Sequence, residues 1–221
     1  MNKSKLLQEG LEHIRLHIKN EGYKEIRIRK GEYIVRQNQV LDFVYWASVA
    51  QYAIYHTARN GKTLSLGDYF SEDRFFGEVE CFSDELCQFD IVATADTELV
   101  VISKEQLSEL LIHDGKIAFW MNCNTSKLYQ SSMDVAIERS LYPLKYNILK
   151  DILHRYTEVS MPLSHTYMYQ EAQRFGCTER AYNRIIHELI NDGLIEKERD
   201  ENIINPTNIE AIKACLNSYY K

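Results

Sequence analysis

Apolar residues in the first twenty positions recur at helical spacing. Leu7, Leu11, Ile14 and Ile18 fall on one side, which predicts a helix ending near Asn20 and Gly22. From Tyr23 the period shortens. Ile26 and Ile28, then Tyr33 and Val35, alternate with polar residues around Lys30-Gly31, as in a strand. Further extended runs fall at Leu41–Ala47, Tyr52–Thr57, Lys62–Leu66, Gln88–Ala95 and Leu99–Ile102. Asn60-Gly61 lies between two of them and signals a hairpin, because both residue types tolerate positive φ. Residues 23–102 therefore read as many short strands joined by Gly and Asp turns. That pattern suggests a closed or sandwiched all-β unit without βαβ rhythm.

Helical signals return at Ser103, which with Gln106 three residues on can cap a helix carrying Leu107, Leu110 and Leu111. Asp114-Gly115 ends that run. Lys116 to Ser140 contains no Gly or Pro and predicts one long helix of roughly 37 Å. Such a helix outreaches a small β unit, so part of it should meet a partner helix. Its apolar stripe is Ile117, Met121, Leu128 and Val135, the last three spaced by seven, with Asn124 in the same seam. A polar residue there would fix register at some cost. Pro143 marks the next boundary. Leu144–Tyr156 then predicts a helix with Leu144, Ile148, Leu149, Ile152 and Leu153 on one side, followed by a polar loop with Pro162 and Ser164.

The last third carries the clearest pattern. Gln170–Phe175 reads as a short helix stopped by Gly176, and Thr178 can cap a second helix from Glu179 to about Asn191. Its inward set is Ala181, Ile185, Ile186, Leu189 and Ile190; its outward set includes Glu179, Arg180, Asn183 and Arg184. After Gly193, Leu194–Glu196 and Asn202–Ile204 flank Lys197–Glu201 as a small hairpin. Helix, short turn, amphipathic helix and hairpin form a winged helix-turn-helix pattern. A helix entering the major groove needs a buried apolar face and forked or short polar groups near its N-terminal half. Arginine can hold guanine O6 and N7, asparagine can read adenine, and glutamate can accept from cytosine N4. Arg180 and Arg184 are four apart and share a face. Thr178 would position the helix end, and Arg174, Lys197 and Arg199 are candidate contacts to the DNA backbone.

Composition narrows this picture. The chain has 221 residues, 45% hydrophobic and 26% charged, enough for one or two domains with real cores and not a disordered chain. No apolar run reaches membrane-spanning length. The first twenty residues are charged throughout, so they read as mature cytoplasmic sequence rather than a signal peptide. Net charge is −6, and the sequence from residue 144 on is close to neutral, so DNA binding must rest on the placement of a few arginines. A sensor or scaffold that keeps this domain order without binding DNA is the second reading. The five cysteines are odd in number, widely spaced and without a CxxC pair, as expected of buried or incidental thiols in a reducing compartment. His13 and His17 are four apart, a spacing compatible with a metal, but two surface histidines is the plainer reading and no metal site is expected. Tyr45, Tyr52, Tyr55 and Tyr69 are expected to pack rather than line a pocket. The β region holds only His56, with no HxH pair and no nucleophile elbow, so no enzyme is expected.

Four segments carry a family resemblance: 30–37 (KGEYIVRQ), 60–70 (NGKTLSLGDYF), 76–79 (FGEV) and 175–186 (FGCTERAYNRII). With the order of elements, they make the chain similar, from about residue 23 to 205, to the catabolite-activator and fumarate–nitrate-reduction family of bacterial transcription regulators. The resemblance implies an α+β fold. A cyclic-nucleotide-binding-type β-roll (a cupin-like jelly roll) with flanking helices would occupy 1–115, a dimerisation helix and hinge 116–142, and a winged helix-turn-helix 143–221. It places Glu179, Arg180 and Arg184 on base-reading positions, the first two swapped relative to a common Arg-Glu order, and Glu171 where an apolar residue is usual. The partners it implies are double-stranded DNA, a second copy of the chain, RNA polymerase and an unidentified small-molecule effector, with no membrane. In cyclic-nucleotide-binding relatives a Gly-Glu pair is followed about eleven residues on by Arg and a small hydroxyl residue, which hold the cyclic phosphate. Here Gly77 and Glu78 are followed by Gln88 and Phe89. Gln88 lacks the charge and Phe89 the hydroxyl, which argues against a cyclic nucleotide. An N-terminal cysteine cluster of the iron–sulfur kind is also missing, since the first cysteine is Cys81, so the cofactor stays unassigned.

Overall fold

The computed structural model describes residues 2–157, 168–197 and 204–220. The expected loop with Pro162 and Ser164, and the hairpin tip with Arg199, lie outside the described residues. The chain divides into two compact units, Met1–Ala58 with Leu66–Ser131, and Arg59–Ser65 with Ser132–Lys221.

The first unit opens with helix α1 (Lys3–Glu21), capped by the Asn2 side chain and ended by Gly22 in the left-handed region. Strands β1 (Lys24–Ile28), β2 (Tyr33–Val35), β3 (Phe43–Thr57), β4 (Thr63–Phe76), β5 (Asp90–Ala93) and β6 (Thr97–Ser103) form one curled antiparallel sheet in the order β1-β6-β3-β5-β2, with β4 on β3. A short helix α2 (Glu78–Ser83) follows β4. Helix α3 (Lys104–His113) begins in a complete capping box between Ser103 and Gln106, and α4 (Gly115–Leu141) follows directly. This is the all-β unit that the strand periodicity predicts, in the roll form that the family resemblance implies. The strands expected at 41–47 and 52–57 are, however, one long β3. Its first half pairs with β6 (Phe43↔Ser103 to Trp46↔Val100) and its second with β5 (Tyr52↔Ala93 to Tyr55↔Asp90).

The side-chain alternation of β3 slips at the exposed pair Ser48-Val49, which lets one strand serve two cores. Val44 and Trp46 pack with Phe75, Leu107, Ile117, Trp120 and Ile14 of the helical layer. Ala47, Ala50 and Tyr52 pack instead with Phe76, Val35, Ala93 and Leu99 inside the roll. Consecutive residues of a regular strand point to opposite faces, so Trp46-Ala47 and Phe75-Phe76 each feed both layers. The rings meet at 4.7 Å for Trp46 and Phe75, and at 4.9 Å for Tyr52 and Phe76, aromatic contacts that add to area burial. Tyr52 also stacks on Tyr69 at 5.6 Å and shares a hydrogen bond with Ser71, so these tyrosines do pack.

Helix α1 is held to α4 through a close crossing at Gly10. A Cβ there would stand 2.4 Å from the Lys116 carbonyl oxygen and 2.7 Å from Trp120 Cβ. Beside it Lys116 bonds Glu9, and His13 Nδ1 lies 2.6 Å from Asp114 Oδ2. The other Asp114 oxygen accepts from the Lys116 and Ile117 main-chain N–H groups and so caps α4. Burial pushes the Asp114 carboxyl up, but His13 and these two donors outweigh it and hold it below its usual range. Gly10→Ala would ordinarily stabilise an exposed helix by about 1 kcal/mol. Here it is expected to destabilise by about 1–3 kcal/mol through overpacking, read as a lower Tm by circular dichroism.

The second unit contains α5 (Leu144–Thr157), α6 (Met168–Arg174), α7 (Glu179–Asn191), a two-stranded sheet of β7 (Ile195–Lys197) and β8 (Ile204–Pro206), and α8 (Ile209–Asn217) with a 3-10 turn at 218–220. Its core joins Tyr146, Ile148, Leu149 and Ile152 of α5 to Tyr182, Ile185, Ile186 and Leu189 of α7, with Ile195, Ile204, Ile212 and Leu216 closing it. The strands pair in the register Ile195↔Pro206 to Lys197↔Ile204, forming the base of the wing.

Candidate nucleic-acid interface and effector region

The turn between α6 and α7 is built around Gly176, whose φ of +61° favours glycine. Gly176 and Cys177 donate their main-chain N–H groups to the carbonyls of Gln173 and Ala172, closing the end of α6. Thr178 then caps α7 by accepting from the Ala181 N–H. Burial of Tyr182, Ile185, Ile186 and Leu189 fixes the rotation of α7. Glu179 and Arg180 are therefore exposed at its first turn, Asn183 is half-buried, and Arg184 is exposed one turn later. The Arg184 Nε stands 3.8 Å from Glu188, with the arginine side chain 72% exposed. An exposed pair of that length is weak and leaves Arg184 free to turn outward. Lys197 is exposed at the base of the wing. Capped helix end, exposed polar face and buried apolar face are thus all in place on one element.

Arg174 requires a correction. Expected as a phosphate contact, its guanidinium is occupied within the unit. Nη2 bonds Asp151 at 2.7 Å, and Nη1 bonds Asp151 at 3.2 Å and Glu171 at 3.1 Å. Glu171 also takes Arg155 at 3.2 and 3.1 Å, and Arg155 reaches Asp151 at 2.8 Å. Two cations and two anions therefore close a network beneath the turn, with Glu171 only 6% exposed. Burial alone would lower the Arg174 pKa, but the Asp151 and Glu171 carboxylates outweigh it and raise it. The buried Tyr182 hydroxyl has no hydrogen-bond partner among the described residues, and burial pushes its pKa up. The network explains the charged residue at 171: it is neutralised internally. Sequence reasoning missed Asp151 and Arg155, whose only signal is their four-residue spacing on α5.

The expected dimer seam on α4 also changes. Ile117 and Met121 are buried in the core of their own roll unit, and Asn124 is half-buried beside β4. The β-roll claims the first two turns of the helix. Further along, Leu128 and Val135 are 39% and 42% exposed, with Tyr129, Met133 and Ile137 also exposed beside them.

In the roll unit, Gly77 has φ +87°, and a Cβ there would meet Leu41 Cδ1 at 2.7 Å, so the tight turn requires glycine. Glu78 is buried, with Arg74 Nη2 at 3.2 Å. Burial pushes the Glu78 carboxyl up, and Arg74 opposes that shift. Gln88 is exposed, and its main-chain oxygen lies 2.7 Å from His56 Nδ1, while Phe89 packs edge-on against the His56 ring at 5.9 Å. The cavity that Glu78 lines includes neither Gln88 nor Phe89. His13 and His17 point to different partners, Asp114 and Tyr23. Cys81 and Cys87 are buried. Burial pushes the Cys87 thiol up to about 11, so at neutral pH it is a protonated, weakly reactive group.

Residues 25–114 match the family model of the cyclic nucleotide-binding domain. No curated protein sequence matches the chain. Solved structures do. CLP, the c-di-GMP-responsive global regulator of Xanthomonas campestris, superimposes with a TM-score of 0.72 at 17% identity, over 88% of this chain and 98% of that one. A transcriptional regulator of the CRP/FNR family from Thermus thermophilus gives 0.58 at 18%, over 89% and 100%. A CooA mutant of Carboxydothermus hydrogenoformans gives 0.66 at 11%, over 90% and 89%. The class is therefore a cyclic-nucleotide-binding-type roll joined through one long helix to a winged helix-turn-helix. More narrowly, the chain has the fold of the CRP/FNR transcription regulators.

Proposed function

We propose that this chain is a transcription regulator that binds double-stranded DNA in a sequence-specific manner as a homodimer, without control by cyclic AMP. The observation that carries the reading is the exposed N-terminal face of α7, where Glu179, Arg180 and Arg184 are free to reach base edges while Tyr182, Ile185, Ile186 and Leu189 on the other side are buried. Asn183 sits between them, Thr178 offers the helix end to a phosphate, and Lys197 stands where a wing meets the DNA backbone. Arg199 falls in the same wing, outside the described residues.

Dimerisation is supported by the exposed apolar line of Leu128 and Val135 on α4, with Tyr129, Met133 and Ile137 alongside. Exposed apolar stripes at heptad spacing are partner surfaces. Two copies would present two α7 helices to half-sites about one helical turn apart. Independence from cyclic AMP is supported by Gln88 and Phe89, which offer neither a cation nor a hydroxyl. An unidentified effector and RNA polymerase complete the partners of such a regulator. No described helix is long and apolar enough to cross a membrane, and a regulator of this kind would act in the cytoplasm.

The deciding experiment is a mobility shift of the full chain against fragments of the source genome, at two salt concentrations. A subset of fragments should shift without cyclic AMP. With six phosphate contacts, affinity should fall by roughly 10³ between 50 and 200 mM salt. No shift of any fragment at low salt would favour the sensor or scaffold reading instead.

A further inference from the structure

Helix α4 gives way to α5 at an elbow formed by Tyr142-Pro143, which lies wholly within the second unit. Proline has no N–H to continue the α4 ladder, and it pushes the residue before it out of helical geometry. Left bare, such a break pivots about the backbone torsions of Tyr142. Here it is braced. The Asn147 side-chain amide donates to the Tyr142 carbonyl at 3.0 Å and to the Pro143 carbonyl at 3.3 Å, taking up acceptors that a helix end leaves open. Lys150 of α5 bonds Glu138 of α4 across the bend. Lys145 bonds Asp192 at 2.7 Å, which ties the first turn of α5 to the end of α7.

A further brace comes from the end of the chain. The Tyr142 ring stacks on Tyr146 with centroids 4.3 Å apart, and Tyr146 meets the Tyr219 ring edge-on at 5.3 Å and 69°. Tyr146 is buried in the core of the unit, and Tyr142 and Tyr219 flank it half-buried. Offset-stacked and edge-on rings attract beyond the area they bury. Unlike the exposed ion pairs, they are not screened by salt. Tyr219 is itself anchored. Ile212 and Leu216 of α8 belong to the same core, and Ser218 Oγ donates to the Cys215 carbonyl at 2.6 Å at the start of the 3-10 turn that carries the ring.

We propose that Tyr219 is a positioning residue for DNA binding. Through Tyr146 and Tyr142 it holds the elbow in one geometry, and so fixes where α7 stands relative to the end of α4. Two α7 helices fixed in this way match one spacing of half-sites. A base pair added between the half-sites turns one of them by about 35° and moves it by about 3.4 Å, a change that a braced elbow does not follow. The spacing part rests on the dimeric DNA-binding reading, and the elbow part does not.

Hydrogen exchange read by mass spectrometry, on the full chain without DNA, tests the brace. In Tyr219→Ala, exchange of segment 138–149 should rise about three- to tenfold, the equivalent of one lost aromatic pair, while segment 182–189 of α7 stays unchanged. Tyr219→Phe keeps the ring and should keep the slow exchange. Tyr142→Ala removes the ring at the other end of the ladder without touching α8. It should act like Tyr219→Ala, and it decides the matter if that variant does not fold. Fluorescence anisotropy then compares a fragment bound by the unaltered chain with the same fragment carrying one base pair inserted between the half-sites. On insertion the unaltered chain and Tyr219→Phe should lose about tenfold or more in affinity, as for a mismatched base pair, and the alanine variants about threefold or less. Unchanged exchange at the elbow in the folded alanine variants would overturn the proposal. So would exchange that rises equally in α7, which marks a general loosening, or an insertion penalty that the alanine variants leave intact. If no fragment is bound at all, the dimeric DNA-binding reading fails, and the exchange result alone decides on the brace.

Discussion

Glu171→Ala is expected to lower the stability of the C-terminal unit by about 3–5 kcal/mol, the usual cost of removing one partner from a buried ion pair. The carboxylate lies between two guanidiniums, accepting both Arg155 Nη groups and Arg174 Nη1. Without it, two cations share Asp151 alone in a site that water reaches poorly. Electrostatic cost in such surroundings far exceeds that on an open surface. Glu171→Gln keeps the shape and one acceptor, so its loss should be smaller. Replacing Glu171, Arg155 and Arg174 together by apolar residues of similar size should recover much of it, since a packed apolar cluster can match a buried ionic one. Urea unfolding followed by circular dichroism measures all three variants. A loss below about 1 kcal/mol for Glu171→Ala would mean that the two arginines re-pair with solvent, as exposed pairs do. Because α6 holds one end of the turn into α7, the destabilised variant should also bind DNA more weakly at temperatures where it remains mostly folded.

This network shows where sequence reading stops. Helices with strong periodicity and caps were legible: α3 with its Ser103–Gln106 box, α5, and α7 with its Thr178 cap fall where the apolar spacing places them. Spacing within an element reports which side chains share a face, and so it separates Arg180 and Arg184 from Ile185 and Leu189. It does not report what lies opposite. Arg174 and Arg180 look alike in sequence, yet Asp151, 23 residues upstream, takes the first and no described residue takes the second. The same limit applies to α4. A stripe of Ile117, Met121, Leu128 and Val135 is continuous in sequence, but the roll core claims the first two residues and leaves the last two exposed. Strand lengths are not legible because the alternation slips at the exposed pair Ser48-Val49, which reads as a gap between two strands and is a change of face within one. Helix α2 has six residues, too few to show a helical period. Helix α8, with Asn208 as its cap, has its signal in the spacing of Ile209, Ile212 and Leu216. In the effector region, Gly77 and Glu78 were visible as a pair. Arg74 was not, because it meets Glu78 across a turn and not along a helix.

Arg180→Ala combined with Arg184→Ala is expected to abolish specific DNA binding while the protein stays folded. Each bidentate arginine contact to guanine is worth about 1–3 kcal/mol. The two side chains bond no common partner, so their losses should add within a few tenths of a kcal/mol, giving about 2–6 kcal/mol per half-site. Neither side chain contributes to the core of the unit, and the one ion pair lost, Arg184 with Glu188, is exposed and 3.8 Å long, so the melting temperature should move little. Lys197→Ala supplies the contrast. A phosphate contact carries no sequence information, so its removal should weaken all fragments alike and reduce the salt slope by about 1 per contact. Glu179→Ala should act differently from both, relaxing discrimination at one base pair with a small change in affinity, because a carboxylate that accepts from cytosine also repels neighbouring phosphates. Fluorescence anisotropy with a shifted fragment and a base-substituted series separates the three patterns. If the folded double variant binds the same fragment with unchanged affinity and unchanged base preference, α7 is not the reading helix, and the exposed face on which the regulator reading rests serves another purpose.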